Sequence, residues 1–389
     1  DPGSPWAIGS AQGGHDTVHP ELGGIAAFDR FVAKAKSLGL EVALDFALQT
    51  SPDHPWLATH PEWFTQQLDG TIAYAENPPK KYQDIYPINF DGDPMGIRME
   101  CLRILEYWIE HGVTIFRVDN PHTKPIDFWQ WLLATVQERH PEVIFFAEAF
   151  TRPAMLQALA KVGFHESYTY FIWRNTKWEL AEYLHEVAHV SAWQLRPNFF
   201  VNTPDINPSY LQSGNPAAFA IRAILAATMS PAWGMYSGFE LFEHAPLRAD
   251  GEEYLDSEKY QYRPRDFNAT PNLNLLITML NRIRHEHPAL QQLRTAQVLQ
   301  TSHEQLFAFS KTADNDQVIV VVNLDQSNTV SATVRLDMNA LGMPDTAQFN
   351  VHDELSAASY IWQQENFVRL TPDQPAHIFT RINEGKAHE

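Results

Sequence analysis

The chain has 389 residues, 44% of them hydrophobic, and a formal net charge of −19. This length is sufficient for a large core and favours more than one domain. The negative charge argues against a nucleic-acid or anionic-membrane partner, because the phosphate groups of either would be repelled.

A single cysteine, Cys101, excludes a disulfide within the chain. This favours a reducing compartment, and we expect a cytoplasmic protein without a membrane span. The first residues contain no Met and no charged segment typical of a signal peptide, so we expect the chain to be part of a longer protein.

Short apolar segments alternate with helical patterns from about residue 38 to 286. The predicted strands cover residues 40–46, 113–119, 142–150, 167–173, 196–205 and 232–238. The predicted helices cover residues 95–111, 126–140, 152–163, 177–187, 216–230 and 272–287. Continuous apolar strands alternating with helices predict an α/β fold with a parallel sheet. Six such units fit either a doubly wound sheet or most of an eight-stranded TIM barrel.

A long loop at 47–94 follows the first strand and is rich in Pro, His, Asp and aromatic residues. Loops of this length are usually functional or disordered, and the aromatic content favours function.

The pattern changes near residue 290 to short alternating strands separated by turn residues. The predicted strands cover residues 306–311, 318–324, 329–337, 348–355 and 366–371. This pattern predicts an antiparallel β-sandwich, so we expect a barrel domain at 1–288 and a C-terminal domain at 289–389.

Acidic residues stand at the ends of three predicted strands: Asp119, Glu148 and Asp205. Strand ends of a parallel barrel meet at one face, where such enzymes carry their chemistry. Asp119 and Glu148 are 29 residues apart, which is one strand–helix–strand unit, so they should lie on neighbouring strands. Two facing carboxylates at roughly 5–5.5 Å are what a retaining glycosidase needs.

Two other interpretations of these acids were weighed. Each acid could cap the helix that follows it, or the group could bind a metal. Three acids on neighbouring or near-neighbouring strands favour catalysis, and we expect no metal and no cofactor. Asp45 also ends a strand, where an orienting and a catalytic role are both open. Arg117 points to the same side of its strand as Asp119 and should keep that carboxylate ionised.

The strand-end motifs "FRVDNPH", "FFAEAF" and "FFVNTPD" resemble those of the α-amylase superfamily, glycoside hydrolase family 13. The resemblance implies that Asp119 is the nucleophile and Glu148 the general acid/base. It also implies that Asp205 is the carboxylate that holds ring hydroxyls of the sugar.

Departures from the usual motifs of this superfamily indicate which of its branches the chain resembles. Gln49-Thr50 and Pro204 stand where starch hydrolases have Asn-His and His. Segments including "AENPPKKYQDIYP", "FRVDNPHTKP", "AEAFTRPAM" and "SGFELFEH" look like the bacterial α-1,4-glucan:maltose-1-phosphate maltosyltransferase family. The chain looks like the C-terminal part of that family, without its N-terminal domains and first two barrel strands.

That family resemblance implies a donor, maltose 1-phosphate, and an α-1,4-glucan acceptor. Carried over by position, the phosphate pocket would include Asn77, Lys80, Tyr82 and Asn120, and the donor sugars would lie along Gln49, Lys259 and Tyr260. Arg117 is included among the substrate-site residues, and a homodimer is expected. The alternative function is an α-glucan hydrolase or transglycosidase that acts on neutral α-1,4-glucans.

Overall fold

The computed structural model describes residues 6–78, 80–258 and 263–382, and of Asn77 and Lys80 it describes the backbone. The chain divides into two compact units, residues 1–168 with 258–262 and residues 169–257 with 263–389. The boundary at residue 288 that the change of strand type suggests stays a prediction. Among the described residues, no helix has both the length and the apolar character needed to cross a bilayer.

The first unit alternates parallel strands with helices, as the sequence pattern predicted. Its main elements are α1 (Gly24–Ser37), β1 (Ala43–Phe46), α3 (Pro94–Glu110), β6 (Ile115–Asp119), α4 (Ile126–Arg139), β7 (Ile144–Glu148), α5 (Pro153–Val162) and β8 (Glu166–Tyr168). The long loop contributes β2 (Gln49–Thr50), α2 (Trp56–Thr59), β3 (Ala75–Asn77), β4 (Lys80–Tyr82) and β5 (Tyr86–Pro87).

Strands β1, β6, β7 and β8 are neighbours, in that order, in a parallel sheet. The apolar residues of β6 and β7 are buried or half-buried, and the fully buried rings of Phe116 and Phe145 stack with centroids 5.7 Å apart. Burial on both faces is what makes these strands continuously apolar in the sequence. The sheet therefore gives the polar residues at its strand ends a rigid base.

The second unit contains a further strand–helix–strand segment and the C-terminal antiparallel strands. Its first elements are α6 (Lys177–His185), which continues as a π-helix over Glu186–Val190, then β9 (Pro197–Phe200), α7 (Pro216–Met229), β10 (Ala232–Gly234) and α8 (Asn274–Glu286). Strands β9 and β10 pair in parallel.

The C-terminal strands form two antiparallel sheets around one apolar core. They are β11 (Gln297–Val298), β12 (Gln300–Thr301), β13 (Leu306–Ala313), β14 (Asp316–Asn323), β15 (Val330–Arg335), β16 (Phe349–Asp353), β17 (Ser359–Trp362), β18 (Glu365–Leu370) and β19 (Ala376–Arg381). The larger sheet has the order β11-β13-β14-β19-β16-β17 and the smaller one β12-β15-β18. Buried residues of both sheets, such as Val321 and Val334, share one core cluster, so the predicted sandwich is confirmed.

Three predicted strands, at 167–173, 196–205 and 232–238, are wrong in more than half of their length. Of residues 167–173, only the first two belong to a strand, and Tyr170–Trp173 forms a 3-10 helix. The buried guanidinium of Arg222 donates to the carbonyls of Phe171 and Arg174 at 2.7 and 2.6 Å. This tertiary contact stabilises the helical turn against the β-propensity of its aromatic residues.

Candidate active site

Asp119 and Glu148 end neighbouring strands and stand directly opposite each other in the register of β6 and β7. Both are buried, with 5% and 8% of their surfaces exposed. The prediction that they lie on adjacent strands is confirmed. The separation of their carboxyl groups at roughly 5–5.5 Å stays a prediction.

Arg117 links three carboxylates at this end of the sheet. Its Nη1 lies 2.6 Å from Asp45 Oδ1 and 3.1 Å from Asp119 Oδ1, and its Nη2 lies 3.8 Å from Glu148 Oε1. Burial alone would lower the pKa of Arg117, but the charges of Asp45, Glu148 and Asp119 raise it, so the guanidinium stays ionised. The short contact to Arg117 favours the orienting role for Asp45.

Two aromatic rings pack against Arg117. Its guanidinium carbon lies 5.1 Å from the ring centroid of Trp6 and 5.7 Å from that of Tyr168, which is cation–π distance. Burial raises the pKa of Tyr168 to about 12, so its hydroxyl stays protonated near neutral pH. Neither ring was predicted as part of the site, and for Trp6 no local signal existed, because the contact spans more than a hundred residues.

Gln49 and Asn120 complete the surroundings of the two acids. Gln49 Nε2 donates to Asp119 Oδ2 at 3.3 Å and to the carbonyl of Trp6 at 2.9 Å. Asn120 donates through Nδ2 to Asp119 Oδ2 at 3.4 Å and through its backbone N–H to Glu148 Oε2 at 3.3 Å. The structure thus brings five predicted site residues together at one end of the sheet in the first unit.

The remaining predicted residues lie on the β3–β4 hairpin, in the second unit or outside the described residues. Asn77 and Lys80 pair across the β3–β4 hairpin, and Tyr82, on the same hairpin, is partly buried. Asp205 lies in the second unit, where its N–H donates to Thr203 Oγ1 at 3.2 Å. Lys259 and Tyr260 lie outside the described residues.

A pair of histidines supports the loop that carries Gln49. Trp56 N–H donates to His54 Nδ1 at 3.0 Å, so His54 carries its proton on Nε2 and donates it to His15 Nδ1 at 3.1 Å. His15 Nε2 then donates to the carbonyl of Ala47 at 2.7 Å. The contacts accepted by His54 Nδ1 and His15 Nδ1 require neutral rings, because a protonated imidazole has no acceptor nitrogen. Burial lowers the pKa of His15 to about 4 and that of His54 to about 3.

Acid should therefore destabilise the protein through this pair. The unfolded chain takes up protons on both histidines below pH 6.5, whereas the folded rings stay neutral until about pH 4 or lower. The free energy of unfolding should fall as pH decreases below 6.5, by about 1.4 kcal/mol per pH unit for each neutral histidine. Chemical denaturation between pH 5 and 8 measures this slope.

His54→Gln should flatten that slope, and replacing the exposed His285 by Gln should leave it unchanged. The assignment of neutral rings would be wrong if the wild-type protein lost no stability between pH 6.5 and 5.

Two histidine patterns typical of metal sites escaped the sequence analysis: H-E-x-x-H at 185–189 and H-x-H at 285–287. His189 lies in the π-helical segment, and its Nε2 is 2.9 Å from the carbonyl oxygen of Ala296. His287 lies between Asp316 and Glu354, at 2.9 and 3.4 Å. Although burial opposes it, those two carboxylates raise the pKa of His287 to about 9. In the structure, His287 and these two carboxylates form an ion-pair network.

Known proteins resemble the chain in sequence. A family model described as "GLGE, C-terminal" matches residues 298–380. The chain is 57% identical over 384 residues to α-1,4-glucan:maltose-1-phosphate maltosyltransferase 2 of Streptomyces coelicolor, with 97% of this chain and 57% of the relative covered. The maltosyltransferase of Mycobacterium tuberculosis H37Rv is likewise 57% identical, over 97% of this chain and 55% of its own. The chain therefore spans little more than half the length of these relatives.

Solved structures share the fold. A maltogenic α-amylase of Thermotoga neapolitana superposes with a TM-score of 0.74 at 17% identity, covering 98% of this chain and 85% of its own. An α-amylase of Geobacillus thermoleovorans gives 0.76 at 15% identity, covering 96% and 84%. These matches confirm the predicted fold class, a TIM barrel with a C-terminal β domain.

Proposed function

Because the chain is closely similar over 97% of its length to α-1,4-glucan:maltose-1-phosphate maltosyltransferases, we propose that it carries the catalytic centre of such an enzyme. It would move maltosyl units from maltose 1-phosphate to the non-reducing end of an α-1,4-glucan through a covalent intermediate, as a retaining enzyme does. The observation that carries this proposal is the placement of Asp119 opposite Glu148, with Arg117 contacting both.

In the first step, Asp119 attacks the anomeric carbon of the donor. The bond from that carbon to the phosphate oxygen breaks, and its electron pair goes to the phosphate, which leaves with one proton. Arg117 donates a charge-assisted hydrogen bond to the nucleophile, and the hydrogen bonds from Gln49 and Asn120 fix its orientation. The second pKa of a phosphate monoester is about 6, so a fraction of the donor molecules carry the necessary proton themselves.

In the second step, Glu148 takes the proton of the acceptor's 4-hydroxyl, whose oxygen attacks the anomeric carbon and releases Asp119. Phosphate needs less protonation on leaving than a sugar hydroxyl does, so the role of Glu148 as a base outweighs its role as an acid. Transfer in preference to hydrolysis further requires that water be excluded from the glycosyl-enzyme.

The test is to incubate the full-length protein with maltose 1-phosphate and a maltooligosaccharide. Released inorganic phosphate and chains longer by two glucose units would support the proposal. Hydrolysis of neutral α-glucans without use of the phosphate donor would contradict it and favour the alternative function.

Lys80 is proposed to bind the phosphate of the donor. Lys80→Ala should lower kcat/KM for maltose 1-phosphate by roughly 10- to 100-fold, because a charge-assisted hydrogen bond is worth roughly 1.5–3 kcal/mol. Steady-state assays of phosphate release measure this change in kcat/KM. The loss with a maltosyl donor whose leaving group is not phosphate should be smaller.

Lys81 offers a matched control on the same strand. Its side chain is 61% exposed and lies 3.4 Å from Glu76, so Lys81→Ala should change either rate little. Equal losses on both donors for Lys80→Ala would mean that Lys80 supports the fold and does not bind phosphate.

Asp205 is proposed as the acid that holds ring hydroxyls, and Asn77, Tyr82, Lys259 and Tyr260 as further substrate contacts. The support for these roles is the sequence resemblance. A cytoplasmic homodimer remains the expected form of the protein, and the single cysteine is consistent with a reducing compartment.

A further inference from the structure

A tight turn directly after the nucleophile strand returns the chain to the site. Asn120 adopts the left-handed conformation, with φ 44° and ψ 51°, and the 3-10 turn Pro121–Thr123 follows. Thr123 Oγ1 donates to the carbonyl of Asn120 at 2.8 Å, and Trp129 Nε1 donates to the carbonyl of Pro121 at 2.8 Å. These contacts fix the turn, and they place Lys124, the residue that ends it, within hydrogen-bond distance of the Asn120 carbonyl.

Lys124 is brought back by this turn. Its Nζ donates to the carbonyl of Asn120 at 3.3 Å, and its charge interacts with those of Asp119 and Glu148. Burial lowers the pKa of Lys124 to about 8, while the two carboxylates raise it. Lys124 forms no ion pair with any carboxylate of the described residues. An ammonium group has three donors, and one hydrogen bond leaves donors for a ligand.

His122, in the same turn, has a ring nitrogen, Nδ1, that does not contribute a hydrogen bond to the described fold. Its Nδ1 is buried and has no hydrogen-bond partner among the described residues. Burial and the nearby charge of Lys124 lower its pKa, against the charge of Asp119. Buried ring nitrogens nearly always have a partner, so such an atom beside a reactive carboxylate indicates a position for a ligand or water.

The charge balance explains why a cation is needed here. Asp45, Asp119 and Glu148 surround Arg117, whose guanidinium is already engaged by these carboxylates. An anionic donor that approaches Asp119 therefore meets net negative charge. Lys124 interacts electrostatically with both reactive acids, and no ion pair within the described chain neutralises its charge.

We propose that Lys124, with His122 beside it, binds the phosphate of the donor as it leaves. This inference rests on the proposed function and extends it to residues that follow the nucleophile on its own strand–turn segment. As the bond from the anomeric carbon to oxygen breaks, negative charge accumulates on the phosphate, and the ammonium of Lys124 stabilises it. Glu148 or the protonated donor supplies the proton, so Lys124 acts through its charge and keeps its own protons.

The test compares two donors with different leaving groups, maltose 1-phosphate and α-maltosyl fluoride, in the full-length protein. Lys124→Met should lower kcat/KM for maltose 1-phosphate by roughly 10- to 100-fold. The same variant should weaken inhibition by inorganic phosphate by a similar factor. Its kcat/KM with maltosyl fluoride and its KM for the glucan acceptor should change by less than about threefold, since neither involves phosphate. Lys124→Arg should recover part of the lost activity, because it restores the charge.

Lys34→Met, a change at an exposed position of α1, is the matched control and should leave all four measurements unchanged. Equal losses on both donors, or unchanged phosphate inhibition, in a Lys124→Met protein that melts like the wild type would overturn the inference while the proposed function stands. A wild-type protein that transfers from maltosyl fluoride but releases no phosphate from maltose 1-phosphate would overturn the proposed donor and this inference together.

Discussion

Asp119→Ala should abolish maltosyl transfer while the fold survives. The nucleophile forms the covalent bond on which both steps depend, and removal of such a group costs on the order of 10⁴- to 10⁶-fold in kcat. Arg117 keeps its 2.6 Å contact with Asp45 in this variant, so its charge stays compensated. Phosphate release under saturating donor measures the loss, and a thermal melt reports on the fold.

Asp127→Ala is the matched carboxylate control, since the Asp127 side chain is 75% exposed and pairs with Arg98 on the surface. It should retain full activity. A glycosyl ester trapped on any residue other than Asp119 would refute the assignment of the nucleophile.

Glu148→Gln should slow the second step much more than the first. General acid–base groups contribute typically about 10²- to 10⁴-fold, and the incoming hydroxyl needs a base, whereas protonated phosphate can leave without help. The variant should therefore release a burst of phosphate and then stop, with a maltosyl group attached to Asp119. Rapid-quench phosphate assays and intact-protein mass spectrometry would detect both signs.

Azide, an acceptor that needs no deprotonation, should restore turnover of the Glu148→Gln variant but not of Asp119→Ala. A variant without any burst would contradict this role, since it would show that phosphate departure depends on Glu148 as strongly as acceptor attack does.

The relation between Asp119 and Glu148 could be predicted because it depends on chain topology. One strand–helix–strand unit separates them, and parallel neighbours in one sheet align their carboxyl ends. The position of Arg117 followed from the two-residue period of a strand. These inferences needed no side-chain detail.

Contacts between distant segments could not be predicted in the same way. Trp6 reaches Arg117 through a loop whose course no local pattern encodes. The position of Lys124 depends on the left-handed conformation of Asn120. Asn tolerates this conformation, but its presence in the sequence does not require it. The strand predicted at 167–173 was wrong because the observed helical turn is held by Arg222, about fifty residues away.

The pairing of Asp119 with Glu148 in one register restricts where this gene can gain or lose codons. A one-residue deletion inside β6 or β7 turns every following side chain to the other face of the sheet and separates the two acids. Exposed turns, such as that at His140–Glu142 between α4 and β7, can change length without moving either strand. Length variation among homologous genes should accordingly concentrate in such turns and avoid the two strands.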